Sequence, residues 1–107
     1  MAQFDVHRSP GRRRRDVPFV IIIQGAWFDN LPTRMIVPLL SVTVLTGDRR
    51  HFFPEFTIKG QRVVLAAWQV QTVPVSALGP VVASLAGDPD GDQIISALDL
   101  VISRAHG

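Results

Sequence analysis

Short apolar segments at close spacing constrain the fold of this chain more than any other feature of its sequence. Residues 3–7 alternate between polar and apolar side chains, as a half-buried strand does, and residues 17–23 form a β-branched run that is typical of a central strand. A third run covers residues 34–40, where Pro38 predicts an edge position or a bulge. Further strand-like segments follow at residues 42–45, 52–58, 62–66 and 69–73. Such a series predicts a small barrel or sandwich.

The last third of the chain follows a different pattern. Residues 81–86 are compatible with one or two helical turns, and Asp92 is a suitable helix N-cap after a loop of glycine, aspartate and proline. Apolar residues then recur at the spacing of one helix face, at Ile94, Ile95, Leu98, Val101, Ile102 and Ala105. We therefore predict one α+β domain over residues 1–107, mainly β, with a C-terminal α-helix.

Composition excludes several classes of function. The chain has no cysteine, which rules out disulfide bonds and thiolate metal sites. Its histidines, His7, His51 and His106, share no metal-ligand spacing, and no phosphate-cradling or hydrolase motif is present, so we predict neither a metal nor a cofactor. No apolar run reaches the roughly 18 residues that cross a membrane, and the first residues lack a signal-peptide pattern. A cytoplasmic protein that does not contact membranes is expected.

Arginine dominates the positive charge of the chain. The formal net charge is only +2, but Arg12, Arg13, Arg14 and Arg15 are adjacent. Such a run can hold phosphate groups. The preceding Ser9-Pro10-Gly11 indicates a turn, so a solvated hairpin loop is the simpler interpretation.

Trp27 and Phe28 are the most conspicuous candidates for a binding site. They follow Gly25-Ala26 and precede a turn-rich stretch that begins at Asp29, so the pattern places them in a loop. Aromatic side chains are harder to bury in a loop than in a strand, and exposed ones are favoured binding anchors. The alternative is that both rings cap the core of the barrel.

Several longer segments, taken in order, carry a more specific pattern. They are Gln3-Phe-Asp-Val6, Phe19-Val-Ile-Ile-Ile-Gln24, Asp29-Asn-Leu-Pro-Thr-Arg-Met-Ile-Val-Pro-Leu39, Phe53-Pro54 with Ile58 and Gly60, and Val73-Pro-Val-Ser-Ala-Leu-Gly79. Together with the final helix they resemble the CcdB family, the toxins of bacterial ccd toxin–antitoxin systems. The resemblance spans nearly the whole chain, and it implies an SH3-like barrel of antiparallel strands with a small extra sheet and a C-terminal α-helix.

The resemblance also implies a function and a set of partners. A CcdB-like toxin is a homodimer that binds the A subunit of DNA gyrase and traps the cleaved DNA complex. A cognate CcdA-like antitoxin relieves the block, and DNA is contacted only indirectly, through the autoregulating toxin–antitoxin complex. Because such a toxin catalyses nothing itself, the resemblance implies that this chain is not an enzyme.

The family's gyrase-facing positions fall on named residues of this sequence. A loop pair falls on Trp27 and Phe28, which are bulkier than the aliphatic pair of the family, and an amide-bearing helix position falls on Asp99. The family ends with an aromatic residue followed by Trp-Gly-Ile, and these positions fall on Ile102, Ser103, Arg104 and Ala105, none of which matches. A missing tryptophan anchor costs about 2 kcal/mol or more of binding free energy.

Two alternatives follow from this departure. The first is a toxin of the same fold with a changed target, such as a ribonuclease similar to MazF and Kid, in which Arg34 or Arg12 to Arg15 holds phosphate and His7 or His51 transfers a proton. The second is a relative that does not poison gyrase but still binds the antitoxin.

Overall fold

A computed structural model of the protein describes residues 2–9, 15–44, 53–87 and 89–103. Within these residues, seven strands precede one α-helix. The strands are β1 (Asp5–Arg8), β2 (Phe19–Ile22), β3 (Thr33–Ser41), β4 (Glu55–Ile58), β5 (Gln61–Leu65), β6 (Gln71–Pro74) and β7 (Val81–Ser84), and the helix is α1 (Asp90–Ile102). Single turns of 3-10 helix lie at Ala26–Phe28 and Val75–Ala77.

All pairings between the strands are antiparallel, and the sheet runs in the order β4-β5-β3-β2-β1-β7. β6 branches from this path and pairs with the first half of β3, from Thr33 to Ile36. The sheet curls into a half-barrel with the helix after it, which confirms the predicted fold class. Where the resemblance implied a small extra sheet, β6 branches from the same seven-stranded sheet.

Pro38 lies within the longest strand instead of at an edge or a bulge, so that prediction was wrong. It pairs with Val20 of β2, and its carbonyl oxygen accepts a hydrogen bond from the N–H of Ala66. On that side of β3 the pairing with β6 stops at Ile36, and the pairing with β5 starts at Leu39. The missing N–H of Pro38 therefore falls in the gap between two partners, where no ladder bond is lost.

Three other local predictions were also wrong. Val81–Ser84 is a strand and not a helical turn, because its residues pair with β1 and cover an edge of the sheet that would otherwise be open. Residues 42–44 form a turn, in which the N–H of Val44 donates to Ser41; Leu45 lies outside the described residues. The helix begins at Asp90, so Asp92 lies in its first turn instead of capping it.

The sequence Ile58-Lys59-Gly60-Gln61 predicts a tight turn, because Gly60 tolerates positive φ, and the structure confirms it. Lys59 and Gly60 join β4 to β5, and both have positive φ, at 51° and 79°. Positive φ at both central positions is the pattern of a type I′ hairpin turn, whose twist matches that of the flanking strands. Glycine takes this conformation without strain, whereas lysine does so at a cost.

The main hydrophobic core lies between one face of the sheet and α1. Alternate residues of the central strands point to this face and are fully buried, among them Val6, Phe19, Ile21, Val37, Leu39, Val63 and Leu65. Ile94 and Ala97 of the helix close the core from the other side. Val20, Ile22 and Ile36 point to the opposite face, where they form a second and smaller cluster.

Candidate functional site

The loop between β2 and β3 presents the most exposed aromatic side chain in the described part of the chain. Trp27 is 93% exposed, and Phe28 and Leu31 are about half exposed beside it. We name residues 25–32 the Trp27 loop. The structure confirms that Trp27 and Phe28 lie in a loop, and it excludes the alternative that they cap the barrel core.

A buried amide ties the Trp27 loop to the strands on both sides of it. Gln24 is the last residue before the loop, and its side chain is almost fully buried. Its Nε2 donates to the carbonyl oxygens of Phe28 at 3.1 Å and Thr33 at 3.4 Å. Its Oε1 accepts a hydrogen bond from the N–H of Met35 at 2.9 Å. One side chain therefore fixes the spacing between the two ends of the loop and its middle.

A buried guanidinium makes a second set of contacts with the same loop. Arg34 is only 6% exposed. Its Nη1 donates to the carbonyl oxygens of Leu31 at 2.6 Å and Thr33 at 2.9 Å, and its Nη2 donates to that of Asp29 at 2.7 Å. Because its Nη donors face these carbonyl groups and the side chain is buried, this conformation does not present them to a phosphate. The phosphate-holding role of Arg34 stays a prediction that this geometry does not favour.

Backbone hydrogen bonds complete the loop. The N–H of Phe28 donates to Gly25 at 3.0 Å, and the N–H of Leu31 donates to Phe28 at 3.1 Å. The carbonyl oxygen of Pro32 accepts from the N–H of Val75 at 3.0 Å, which joins the loop to the turn after β6. The backbone is thus held in one conformation while the Trp27 ring is left in solvent, and a rigid aromatic anchor of this kind loses little entropy when it binds.

The second group of predicted site residues lies at the end of α1. Asp99 is exposed, Ile102 is 76% exposed, and Ser103 is the first residue after the helix. Arg104 and Ala105 lie outside the described residues. Trp27 and Phe28 thus lie between β2 and β3 and Asp99 and Ile102 in the last part of α1, and no hydrogen bond or ion pair among the described residues links the two groups.

Only part of the predicted apolar helix face is used for packing. Gly91, Ile94 and Ala97 are buried against the sheet, at a spacing of three residues. Ile95 and Ile102, which are seven positions apart, lie along the edge of this face and remain exposed, as does Val101 near the end of the helix. The predicted stripe is therefore wider than the part of it that packs on the sheet. No described residue of the chain covers the remaining apolar surface.

The residues considered for a ribonuclease have different environments. His7 is fully buried in β1, and its Nδ1 lies 2.8 Å from the carbonyl oxygen of Gly79. His7 cannot reach an RNA substrate in this conformation. His51 and Arg12 to Arg14 lie outside the described residues, and Arg15 is exposed. Among the described residues, no three histidine, aspartate or glutamate side chains are placed to hold a metal ion.

A groove crosses the sheet face that is opposite to the helix. Its volume is about 480 Å³, and its floor consists of Val20, Ile36, Pro38 and Leu40. Polar residues, among them Ser9, Asp16, Gln69 and Gln71, line its rim together with several valines. We name it the open-face groove. An apolar floor with a polar rim is the usual composition of a site that binds a peptide or another ligand.

Three solved structures share the fold at low sequence identity. An endoribonuclease in complex with its cognate antitoxin, from a mycobacterial species, superimposes with a TM-score of 0.76 at 12% identity, over 97% of this chain and 96% of that one. The Mycobacterium tuberculosis toxin MazF-mt6 gives 0.71 at 16% identity, with coverages of 91% and 94%. A further mycobacterial endoribonuclease gives 0.70 at 11% identity, with coverages of 95% and 90%.

These neighbours correct the expectation that the chain is not an enzyme. That expectation was taken from the resemblance to a non-catalytic family, but the same fold is also that of proteins described as endoribonucleases. The lack of a familiar catalytic motif in this sequence does not support that expectation either, because this chain is only 11–16% identical to the three structures. At such identity a catalytic group need not lie in a recognisable stretch.

Sequence comparison gives a more specific assignment than the fold does. The chain has no significant match among curated proteins. Residues 3–103, however, match the CcdB protein family, and this range includes the Trp27 loop, all seven strands and the whole of α1. The chain belongs to the CcdB family.

Proposed function

We propose that this protein is the toxin of a toxin–antitoxin pair and that it acts by binding the A subunit of DNA gyrase. Membership of the CcdB family supports a toxin, as does the likeness to a toxin and to an endoribonuclease that is bound to its antitoxin. The observation that carries the choice of target is the exposed Trp27 loop, because the resemblance to the family predicts that this loop faces gyrase.

The physical case rests on the combination of exposure and rigidity. Trp27 stands almost wholly in solvent, while Gln24 and Arg34 hold the backbone beneath it. Burying a tryptophan removes roughly 150–250 Å² of surface from water, and a central aromatic anchor typically contributes about 2 kcal/mol or more. A monomer gains no stability from an exposed ring, so a partner is the simplest reason for a loop of this construction.

The exposed side of α1 supports a homodimer. Ile95 and Ile102, one above the other at a spacing of seven residues, form an exposed apolar edge of the helix, and Val101 is exposed beside them near its end. Pairing this surface with that of a second copy would bury it around a two-fold axis, as isologous dimers do. A dimer carries two Trp27 loops, which suits a target that contains paired gyrase A subunits. We expect such a toxin in the cytoplasm; no helix in the described part of the chain is long and apolar enough to span a membrane.

The helix end contributes less to target binding in this proposal than it does in the family. Ser103 stands where the family has tryptophan, and a serine side chain neither buries a large area nor stacks on a cation. The larger pair Trp27 and Phe28 compensates for this loss. If it did not, the protein would be the relative that binds the antitoxin without poisoning gyrase.

We assign the open-face groove to a CcdA-like antitoxin. The groove lies on the sheet face opposite to α1, so a segment that folds into it leaves the exposed side of the helix accessible for dimerisation. Its apolar floor suits the side chains of a segment that is disordered until it binds.

An endoribonuclease is the second candidate function, and the structural neighbours favour it. The described residues do not supply its chemistry in an obvious form, because His7 is buried and Arg34 faces the Trp27 loop. General acid–base catalysis would therefore need another group, of which His51, outside the described residues, is one.

A parallel assay separates these functions. The purified protein is incubated with gyrase and supercoiled DNA, and separately with single-stranded and structured RNA, each with and without the antitoxin. We expect trapped DNA cleavage that the antitoxin reverses, and RNA that stays intact. RNA cleavage that His51→Ala abolishes would replace gyrase with RNA as the target. Harmless expression with tight antitoxin binding would leave only the antitoxin-binding role.

A further inference from the structure

A second groove lies between α1 and the segment that leads into β4, away from the open-face groove. Its volume is about 640 Å³. Phe53, Pro54, Ala97 and Leu100 give it an apolar floor, and Asp92, Gln93 and Ser96 line its rim. We name it the helix groove. The Trp27 loop contributes no residue to it, so the function proposed above does not account for this surface.

One carboxylate sets the charge of the helix groove. Asp92 is exposed, and its side chain makes no hydrogen bond or ion pair with any residue in the described part of the chain. α1 also carries Asp90 and Asp99 but no lysine, arginine or histidine. No described lining residue of the groove is cationic. The carboxylate of Asp92 therefore favours a positively charged group over a phosphate on this part of the surface.

An aromatic pair adjoins the same groove. The rings of Phe53 and Trp68 are 4.8 Å apart between centroids and tilted by 53°. Trp68 is about one-third exposed, at the turn between β5 and β6. Tryptophan and phenylalanine faces attract cations, and they attract arginine more often than lysine because the planar guanidinium also stacks on a ring.

We propose that the helix groove binds an extended peptide segment of a partner protein, in which an arginine is adjacent to a large apolar residue. The apolar side chain lies on Leu100 and Pro54, and the guanidinium reaches the carboxylate of Asp92 while its plane faces the Phe53–Trp68 pair. Arginine fits both features, since its fork of donors matches a carboxylate and its face matches a ring. The proposal is independent of gyrase binding.

The test is a fluorescence anisotropy titration of the purified protein with a fluorescein-labelled peptide, Gly-Leu-Arg-Leu-Gly. We expect saturable binding that Asp92→Asn weakens about three- to fivefold, which is the range for an exposed ion pair. Asp90→Asn, the matched control, removes the same charge from the same helical turn outside the groove and leaves binding unchanged. Ser96→Phe fills the groove without removing a core contact, and it abolishes binding even if Asp92→Asn fails to fold.

Three results would overturn the proposal. One is the absence of saturable binding at about 1 mM peptide, the weak end of specific affinity. Another is that Asp90→Asn and Asp92→Asn weaken peptide binding equally, because the effect would then come from the net charge of the protein and not from a contact in the groove. The third is equal affinity for a peptide in which lysine replaces arginine, because that would remove the role of the aromatic pair.

Discussion

Arg34 donates a hydrogen bond from its Nη2 to the carbonyl oxygen of Asp29 at 2.7 Å, across the base of the loop that carries Trp27. The guanidinium is buried and also serves Leu31 and Thr33. A residue that the sequence offered as a phosphate-holding group is thus part of the scaffold of the Trp27 loop. The proposed function depends on this arrangement, because a flexible loop would present the tryptophan at a larger entropic cost.

Replacing Arg34 should destabilise the fold and loosen the loop. Arg34→Met leaves three carbonyl acceptors without their donor, so we expect the free energy of unfolding in urea to fall by about 3 kcal/mol. Arg34→Lys should recover little, since an ammonium cannot fork to separate carbonyl groups. Trp68→Phe leaves Trp27 as the one tryptophan of the chain. In this background, the fluorescence anisotropy of Trp27 should decay faster in the Arg34→Met variant than with Arg34 intact, because the loop moves more freely.

Arg62→Met is the matched control for that experiment. Arg62 is exposed and pairs with Glu55 at 2.7 Å on the surface. Exposed pairs contribute little, so its loss should cost less than about 1 kcal/mol and leave the motion of Trp27 unchanged. Equal costs for the two arginines would contradict the scaffold role of Arg34.

The amide of Gln24 should be replaceable by a carboxyl group only at low pH. Gln24→Glu directs a carboxylate at two carbonyl oxygens, so we expect the free energy of unfolding to fall by about 1–3 kcal/mol at neutral pH. The folded state disfavours the charged form, which raises the pKa of the introduced group. Stability is therefore lost as pH rises and regained as it falls. Urea unfolding from pH 4 to pH 8 measures the difference in the free energy of unfolding between the wild type and Gln24→Glu, and we expect this difference to become smaller toward low pH. Gln71→Glu is the control at an exposed site, where the difference from the wild type should not change in this way with pH.

A charge on the exposed side of α1 should separate the proposed dimer. Ile95→Lys and Ile102→Lys place a cation at the centre of the helix surface, and we expect the dimer dissociation constant to rise at least about tenfold in sedimentation equilibrium. Stability of the monomer should hardly change. Val81→Lys alters an equally exposed apolar residue on β7 and serves as the control. A monomeric wild type would contradict the dimer.

Restoring the family's aromatic residue at the helix end should strengthen target binding. Ser103→Trp adds an anchor at the position where the family carries one, and we expect gyrase affinity to rise by roughly thirtyfold, the value of about 2 kcal/mol. Titration calorimetry with the gyrase A subunit measures it. No gain would mean that this end of the helix does not face the target.

The sequence predicted the fold well because its strong signals were local. β-branched runs, the Lys59–Gly60 turn and the helix periodicity each act through neighbouring residues. The errors arose where tertiary pairing decided the outcome: Val81–Ser84 became a strand through β1, and Pro38 was tolerated because β3 exchanges partners there.

The site was predicted only in part. Exposure of Trp27 and Phe28 followed from their turn-rich surroundings, but the roles of Gln24 and Arg34 depend on carbonyl groups that the loop brings to them. A single glutamine directly after an apolar run and before glycine was the available signal. Nor did the helix pattern distinguish Ile94, which is buried, from Ile95, which is exposed.

Binding of the gyrase A subunit by the wild type and by Trp27→Ala tests the central claim most directly. Trp27 is so exposed that its removal should change the free energy of unfolding by no more than about 0.5 kcal/mol. Titration calorimetry should nevertheless show affinity weakened by roughly thirtyfold or more, and trapped cleavage should disappear. Trp68→Ala is the control, because Trp68 lies beside the helix groove and away from the Trp27 loop. This variant should keep the wild-type affinity for the gyrase A subunit and should still trap cleaved DNA. Equal affinity of wild type and Trp27→Ala, or no binding by the wild type, would contradict the account.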